Sequence, residues 1–134
     1  QVTLTDLQQG ALTLAARNAQ GMGVTPRVTV QRLDWRNPDV PRAPLLLVSD
    51  VLYEARFAEP LAGAIAALLA PGGQVLLADP ERPHLPRFVD AAREHGLAVE
   101  PGPVHTRDGA TVRLYRVVYV DQPARMPPPW AVTG

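Results

Sequence analysis

The chain has 134 residues, with 13 Arg and no Lys against 13 acidic residues, so its formal net charge is zero. That length suits one domain of roughly 100–200 residues, and 46% apolar content with 19% charge excludes a wholly disordered chain. The neutral balance argues against a nucleic-acid surface built on bulk positive charge. The lack of Cys excludes disulfide scaffolds, thiolate zinc sites and Cys nucleophiles.

Val2-Thr3-Leu4-Thr5 is a short β-branched run that ends at Asp6. Gln8 to Ala19 reads as a helix, because Leu12, Ala15, Ala16 and Ala19 recur at spacings of three and four. Asp6 is placed to cap it, and Gly21-Met22-Gly23 to end it, since Gly accepts a left-handed turn. Arg27 to Gln31 is the next strand. Asp34-Trp35 follows, and Pro38, Pro41 and Pro44 mark a loop. Leu45 to Val48 is a continuous apolar run that suits a parallel strand covered on both faces, and it ends at Ser49-Asp50.

Ala58 to Leu69 is rich in Ala and Leu and reads as a helix, which Pro71-Gly72-Gly73 is expected to stop. Gln74 to Ala78 is another buried strand, ending at Asp79-Pro80. Pro83 to His95 is the third helix, with Pro83 in its first turn, where a missing N–H costs least. His95 is expected to cap its end. A strand runs from Leu97 through Glu100 towards Thr106, Asp108-Gly109 carries a hairpin signal, and Thr111 to Val120 is the last strand. Residues 122–134 hold Pro123, Pro127, Pro128 and Pro129 and read as an exposed, loosely packed tail. The domain reading is thus 1–121 followed by this Pro-rich tail. The alternation of strands and helices predicts an α/β fold, a mostly parallel sheet with helices on both faces, closed by an antiparallel hairpin.

The three His residues (His84, His95, His105) lack metal-pair spacing, so no metal is expected. The apolar stretch at 61–70 is interrupted by Gly63 and is far shorter than the roughly 20 residues of a membrane span. No charged-then-apolar leader opens the chain. The expectation is a cytoplasmic protein without membrane or nucleic-acid partners.

The informative pattern is where the acids fall. Asp6, Asp34, Asp50 and Asp79 each sit at or just past the C-terminal end of a predicted strand. Ligands of open α/β sheets bind at that edge. A carboxylate closing the first strand can accept from both hydroxyls of a ribose. One beside an indole can accept from an adenine amino group. Asp50 lies over the sheet's middle, where a reacting group would sit, and Asp79 precedes a loop that it can shape. His84, in the loop Arg82-Pro83-His84, has no visible acid partner and reads as structural.

Four segments carry a family resemblance: Val2-Thr3-Leu4-Thr5-Asp6, Leu33-Asp34-Trp35, Ser49-Asp50-Val51-Leu52-Tyr53-Glu54 and Leu69-Ala70-Pro71-Gly72-Gly73-Gln74-Val75-Leu76-Leu77. With them the chain resembles class I, seven-strand S-adenosylmethionine-dependent methyltransferases over residues 1 to about 120. It is most similar to the branch that methylates protein lysines and carries an Asp-x-x-Tyr motif. The resemblance implies a Rossmann-like fold and S-adenosyl-L-methionine as cofactor. It implies that Asp6 binds the ribose diol, and that Asp34 and Trp35 hold adenine. Asp50 and Tyr53 would lie between sulfonium and acceptor, with Glu54 positioned to meet a substrate ammonium. Arg56 and Phe57 open the next helix beside them.

The family's first strand and its Gly-x-Gly-x-Gly loop do not occur in these residues. The chain is therefore read as an N-terminally truncated methyltransferase that enters the fold at its second strand. The implied strand order is 28–31, 2–5, gap, 45–48, 74–78, 112–120, 97–106. Residues 1–134 by themselves are expected to bind S-adenosylhomocysteine weakly or not at all. The partner is a protein lysine or a small amine. Two other readings remain beside lysine methylation: a non-catalytic methyltransferase-like binding module, and a small-molecule amine N-methyltransferase.

Overall fold

The computed structural model describes residues 1–131. The chain divides into two compact units, Gln1–Val40 and Pro41–Gly134. The Pro-rich tail expected over 122–134 is described as far as Ala131, and residues 132–134 lie outside the described residues.

The first unit is a βαβ element. Strand β1 (Val2–Asp6) and strand β2 (Val28–Arg32) pair in parallel, Val2 opposite Val28 and Asp6 opposite Arg32. Between them runs helix α1 (Gln9–Gly21). It begins after Gln8, and Asp6 reaches the N–H of Gln8 at 2.9 Å rather than a first-turn N–H. Asp6 therefore shapes the entry to the helix without serving as its cap. Of the expected apolar stripe, only Leu12 and Ala19 are buried. Gly23, at φ +69°, supplies the left-handed exit.

The second unit is built on a four-stranded sheet in the order β3–β4–β6–β5. Strand β3 (Ala43–Ser49) pairs in parallel with β4 (Leu69–Asp79). Strand β6 (Ala110–Tyr119) pairs antiparallel with β4 and with β5 (Leu97–Arg107). The β5–β6 hairpin turns at Asp108-Gly109, with φ of +52° and +79°, as the Asp-Gly signal requires. Within the described residues β1 bonds only to β2, and β3 only to β4.

Helices α2 (Ala58–Leu68) and α3 (Leu85–Glu94) pack against each other and on this sheet. Six residues of α2 are buried: Ala58, Leu61, Ala62, Ala64, Ile65 and Leu68. Helix α3 buries a single face through Phe88, Ala91 and Ala92. Val75 and Leu77 of β4 and Val117 of β6 are fully buried on one sheet face. Tyr119 shares that face, since side chains of a strand alternate. Its hydroxyl lies 2.7 Å from the carbonyls of Ala66 and Leu69, which ties α2 to β6.

Two boundaries differ from the sequence expectation. Pro71-Gly72-Gly73 lies inside β4, and α2 has already ended at Leu68. The stretch is a bulge: Ala43 faces Leu69, but Leu45 faces Gln74. Also, α3 starts at Leu85, so Pro86 rather than Pro83 occupies its first turn, and His84 stands at the N-cap. His95 closes α3, but its ring reaches Glu59 of α2 at 2.8 Å instead of only capping its own helix.

The opposite sheet face is covered differently. Leu45 and Leu47 on it are 48% and 74% exposed. Residues 122–131 run back along this face as a strap. The N–H of Arg125 donates to the carbonyl of Gly72 (2.9 Å), and Arg116 Nη1 donates to that of Met126 (3.4 Å). The Trp130 indole packs so closely on Gly102 that a Cβ there would lie 2.6 Å from it. Among the described residues, no helix is long and apolar enough to cross a membrane.

Candidate functional site

Parallel pairing brings strand ends to a common rim in each unit. In the first unit, Asp6 ends β1, and Asp34 follows β2 by two residues. The N–H of Leu33 donates to the carbonyl of Asp6 at 3.0 Å, which continues the pairing to the rim. Each acid spends one oxygen on local backbone. Asp6 Oδ1 accepts from Gln8 N–H (2.9 Å), and Asp34 Oδ1 accepts from Arg36 N–H (3.0 Å). No described residue bonds their second oxygens. Trp35 is half-buried in the turn that Asp34 closes with Asn37.

In the second unit, Asp50 follows β3 directly and Asp79 ends β4. The N–H of Asp50 donates to the carbonyl of Ala78 at 3.0 Å, so the two acids are held at one rim. Their environments diverge. Asp50 is half exposed and accepts two bonds from Arg82, from Nε to Oδ1 (3.1 Å) and from Nη2 to Oδ2 (3.3 Å). Asp79 is 1% exposed. Its Oδ2 accepts from Arg82 N–H at 2.8 Å, while its Oδ1 is buried without a partner among the described residues. Burial pushes the Asp79 carboxyl above the usual carboxylate range, and the Asp50 charge adds to this, against the lowering by the Arg82 N–H. Burial likewise raises the Tyr115 phenol.

The loop after Asp50 carries the remaining predicted residues. Tyr53 is 54% exposed, and its ring meets Phe57 edge-on at 5.0 Å. Glu54 precedes a 3-10 turn (Ala55–Phe57) and pairs with Arg56 at 2.8 Å. The Arg56 guanidinium also lies 5.0 Å from the Phe57 ring centre. Asp50, Tyr53 and Glu54 are thus carried by one loop at the end of β3, whereas Asp6, Asp34 and Trp35 gather at the rim of the first unit. Sequence reasoning missed Arg82. The signal that could have found it is Asp79-Pro80-Glu81-Arg82, where an acid turn aims a cation at a neighbouring strand end. Among the described residues, no group of three or more His, Asp or Glu could hold a metal ion.

The lysine methyltransferase family matches residues 1–93, from β1 into the last turn of α3. The chain belongs to the lysine methyltransferase family. The match takes in every strand-end acid just described.

No curated protein matches the sequence of this lysine methyltransferase family member. Its fold is that of Rossmann-like methyltransferases. TrmN from Thermus thermophilus superposes with a TM-score of 0.71 at 22% identity, covering 88% of this chain and 36% of TrmN. The O-methyltransferase NcsB1 of neocarzinostatin biosynthesis, solved with S-adenosyl-L-homocysteine, gives 0.70 at 22% identity over 87% of this chain and 41% of that one. Magnesium protoporphyrin IX methyltransferase from Synechocystis PCC 6803, with bound SAM, gives 0.68 at 16% identity over 88% and 59%. The chain therefore spans about 36% to 59% of the length of these neighbours.

Proposed function

We propose that this chain supplies the adenosine-recognising acids and the acceptor-side loop of an S-adenosylmethionine-dependent N-methyltransferase whose acceptor is a protein lysine. The family match over residues 1–93 carries the reading, and that span contains Asp6, Asp34, Trp35, Asp50, Tyr53 and Glu54.

The donor chemistry fits the cofactor. An ionised carboxylate only accepts hydrogen bonds, and ribose hydroxyls and an adenine amino group are donors. Asp6 and Asp34 each keep an oxygen without a bond to any described residue, which would be available for that purpose. Asp6 would hold the ribose diol, Asp34 the amino group, and Trp35 would cover the ring. When bound, the cofactor supplies a methyl group on a sulfonium. The protein's tasks are then to place an uncharged nitrogen in line and to keep water out. Asp50 and Glu54 attract the incoming ammonium, and the exposed Tyr53 ring lines its approach. The edge-on Tyr53–Phe57 contact supports that role.

The test is calorimetric titration of the whole protein with S-adenosylhomocysteine, beside a methyl-transfer assay. Asp6→Ala should weaken binding by about tenfold or more, the order expected when a charged hydrogen-bond partner is lost. Asp50→Ala should abolish transfer while leaving cofactor affinity largely intact. Unchanged binding by Asp6→Ala would overturn the ribose assignment. A large loss of cofactor binding in Asp50→Ala would move Asp50 to the cofactor.

A further inference from the structure

Both acids of the acceptor-side loop already hold a cation. Glu54 is paired with Arg56 through both oxygens (2.8 and 3.3 Å), and Asp50 with Arg82 through both oxygens (3.1 and 3.3 Å). The two pairs differ in how they are built. Arg56 is a sequence neighbour of Glu54. Arg82 comes from the end of another strand and is aimed across the rim by a shaped backbone.

Asp79, buried beneath, fixes the Arg82 N–H at 2.8 Å. Glu81 lies in the left-handed region at φ +62°, and Asp50 itself at φ +47°. A non-Gly residue there is strained and persists only where the surroundings impose it. Two such residues thus present the two halves of one ion pair to each other.

We propose that Arg82 is a specificity-determining residue: its guanidinium occupies the Asp50 carboxylate as an internal stand-in for the acceptor's ammonium, and an acceptor gains Asp50 only by displacing it. The inference rests on Asp50 being an acceptor-side residue. A cationic acceptor replaces the charge that it removes. A neutral acceptor would leave Asp50 unpaired or bind beside a closed pair. Displacement is feasible, because both side chains are about half exposed (43% and 50%) and a freed guanidinium can return to water. Release does not depend on pH through Arg82, since its bond to Asp50 raises the guanidinium further above its already high value. Asp79 and Glu81 are the other acids near the pair, Tyr115 lies close to both of them, and Arg113 faces Asp79 in the β4–β6 pairing.

The test follows the Arg82 Nε–H resonance of the whole protein by NMR. The probes are N-acetyl-lysine methyl ester and its neutral counterpart, N-acetyl-norleucine methyl ester. The lysine ester should shift that resonance and speed its exchange with water, and the norleucine ester should not. Arg82→Gln should bind the lysine ester about two- to fivefold more tightly, the order a half-exposed pair is worth. Arg82→Lys, which keeps the charge without the fork, should fall between. An Arg82 resonance unmoved by the lysine ester would overturn the proposal, as would equal or weaker lysine-ester binding by Arg82→Gln. Neither readout needs the cofactor, so a protein that fails to bind S-adenosylhomocysteine would sink the methyltransferase reading without deciding this one.

Discussion

Gly73→Ala is the sharpest test of how the second unit is held. Gly73 sits in the bulge where β4 slips past β3. A Cβ built there lies 2.7 Å from the Pro44 carbonyl oxygen and 2.9 Å from that of Ala70. A carbon–oxygen contact normally settles at about 3.3–3.6 Å, so the overlap is about half an ångström. The obstacles are backbone carbonyls of a paired strand and of the bulge itself, which cannot swing aside like a side chain. Overpacking of this kind costs about 1–3 kcal/mol. For a unit of this size each kcal/mol lowers Tm by about 4–8 °C, which gives a fall of roughly 5–20 °C. Scanning calorimetry reads it directly. Gly10→Ala is the control, because nothing lies within 4 Å of its Cβ position in α1. Removing a helical Gly should stabilise by up to about 1 kcal/mol. A Gly73→Ala protein that melts with the wild type would refute the close approach of β3 and β4.

Two further predictions concern groups that the fold buries. Because burial raises the Asp79 carboxyl above its unfolded value, the native state holds that proton more tightly. Asp79 thus favours folding fully below the unfolded pKa of 3.8, and this contribution is lost as pH rises through the raised native value. Asp79→Asn keeps an acceptor for Arg82 N–H but cannot ionise. Urea unfolding from acid to neutral pH should show wild type losing stability relative to Asp79→Asn as pH rises, and the opposite trend would contradict the assignment. Tyr119→Phe removes the donor that serves the Ala66 carbonyl in the last turn of α2, where no intrahelical N–H is available. It should cost about 1–3 kcal/mol, and Arg42 Nη1, at 3.3 Å from the Leu69 carbonyl, should spare that second acceptor. A loss below about 0.5 kcal/mol would mean that water replaces the hydroxyl.

What could be read in advance was what local chemistry dictates. The Asp-Gly turn demands two positive φ angles wherever it occurs, and Asp108-Gly109 has them. The helix over Leu61 and Ile65 follows from its Ala- and Leu-rich composition, and both residues are buried. Pro71-Gly72-Gly73 misled because its turn propensity is local, whereas its actual state is set by pairing with a strand about thirty positions earlier. The same holds at the rim. The sequence position of Asp50 could be read, but its occupation by Arg82, 32 residues away, depends on β3 and β4 lying side by side. Nor does a composition rich in Pro show that residues 122–131 bond back onto Gly72, Gln74 and Arg116.

A shared fold does not settle the acceptor, since one architecture hosts many chemistries and the acceptor is chosen by the site. The proposal of a cationic acceptor rests on Asp50 and Glu54, each of which holds an arginine side chain. The most direct measurement is mass spectrometry of a protein mixture incubated with the whole protein and isotopically labelled S-adenosylmethionine. The account predicts label on lysine side chains, lost when Asp50→Ala replaces the wild type. Label confined to a small molecule, a nucleic acid or a non-lysine side chain would contradict it, as would lysine labelling that survives Asp50→Ala.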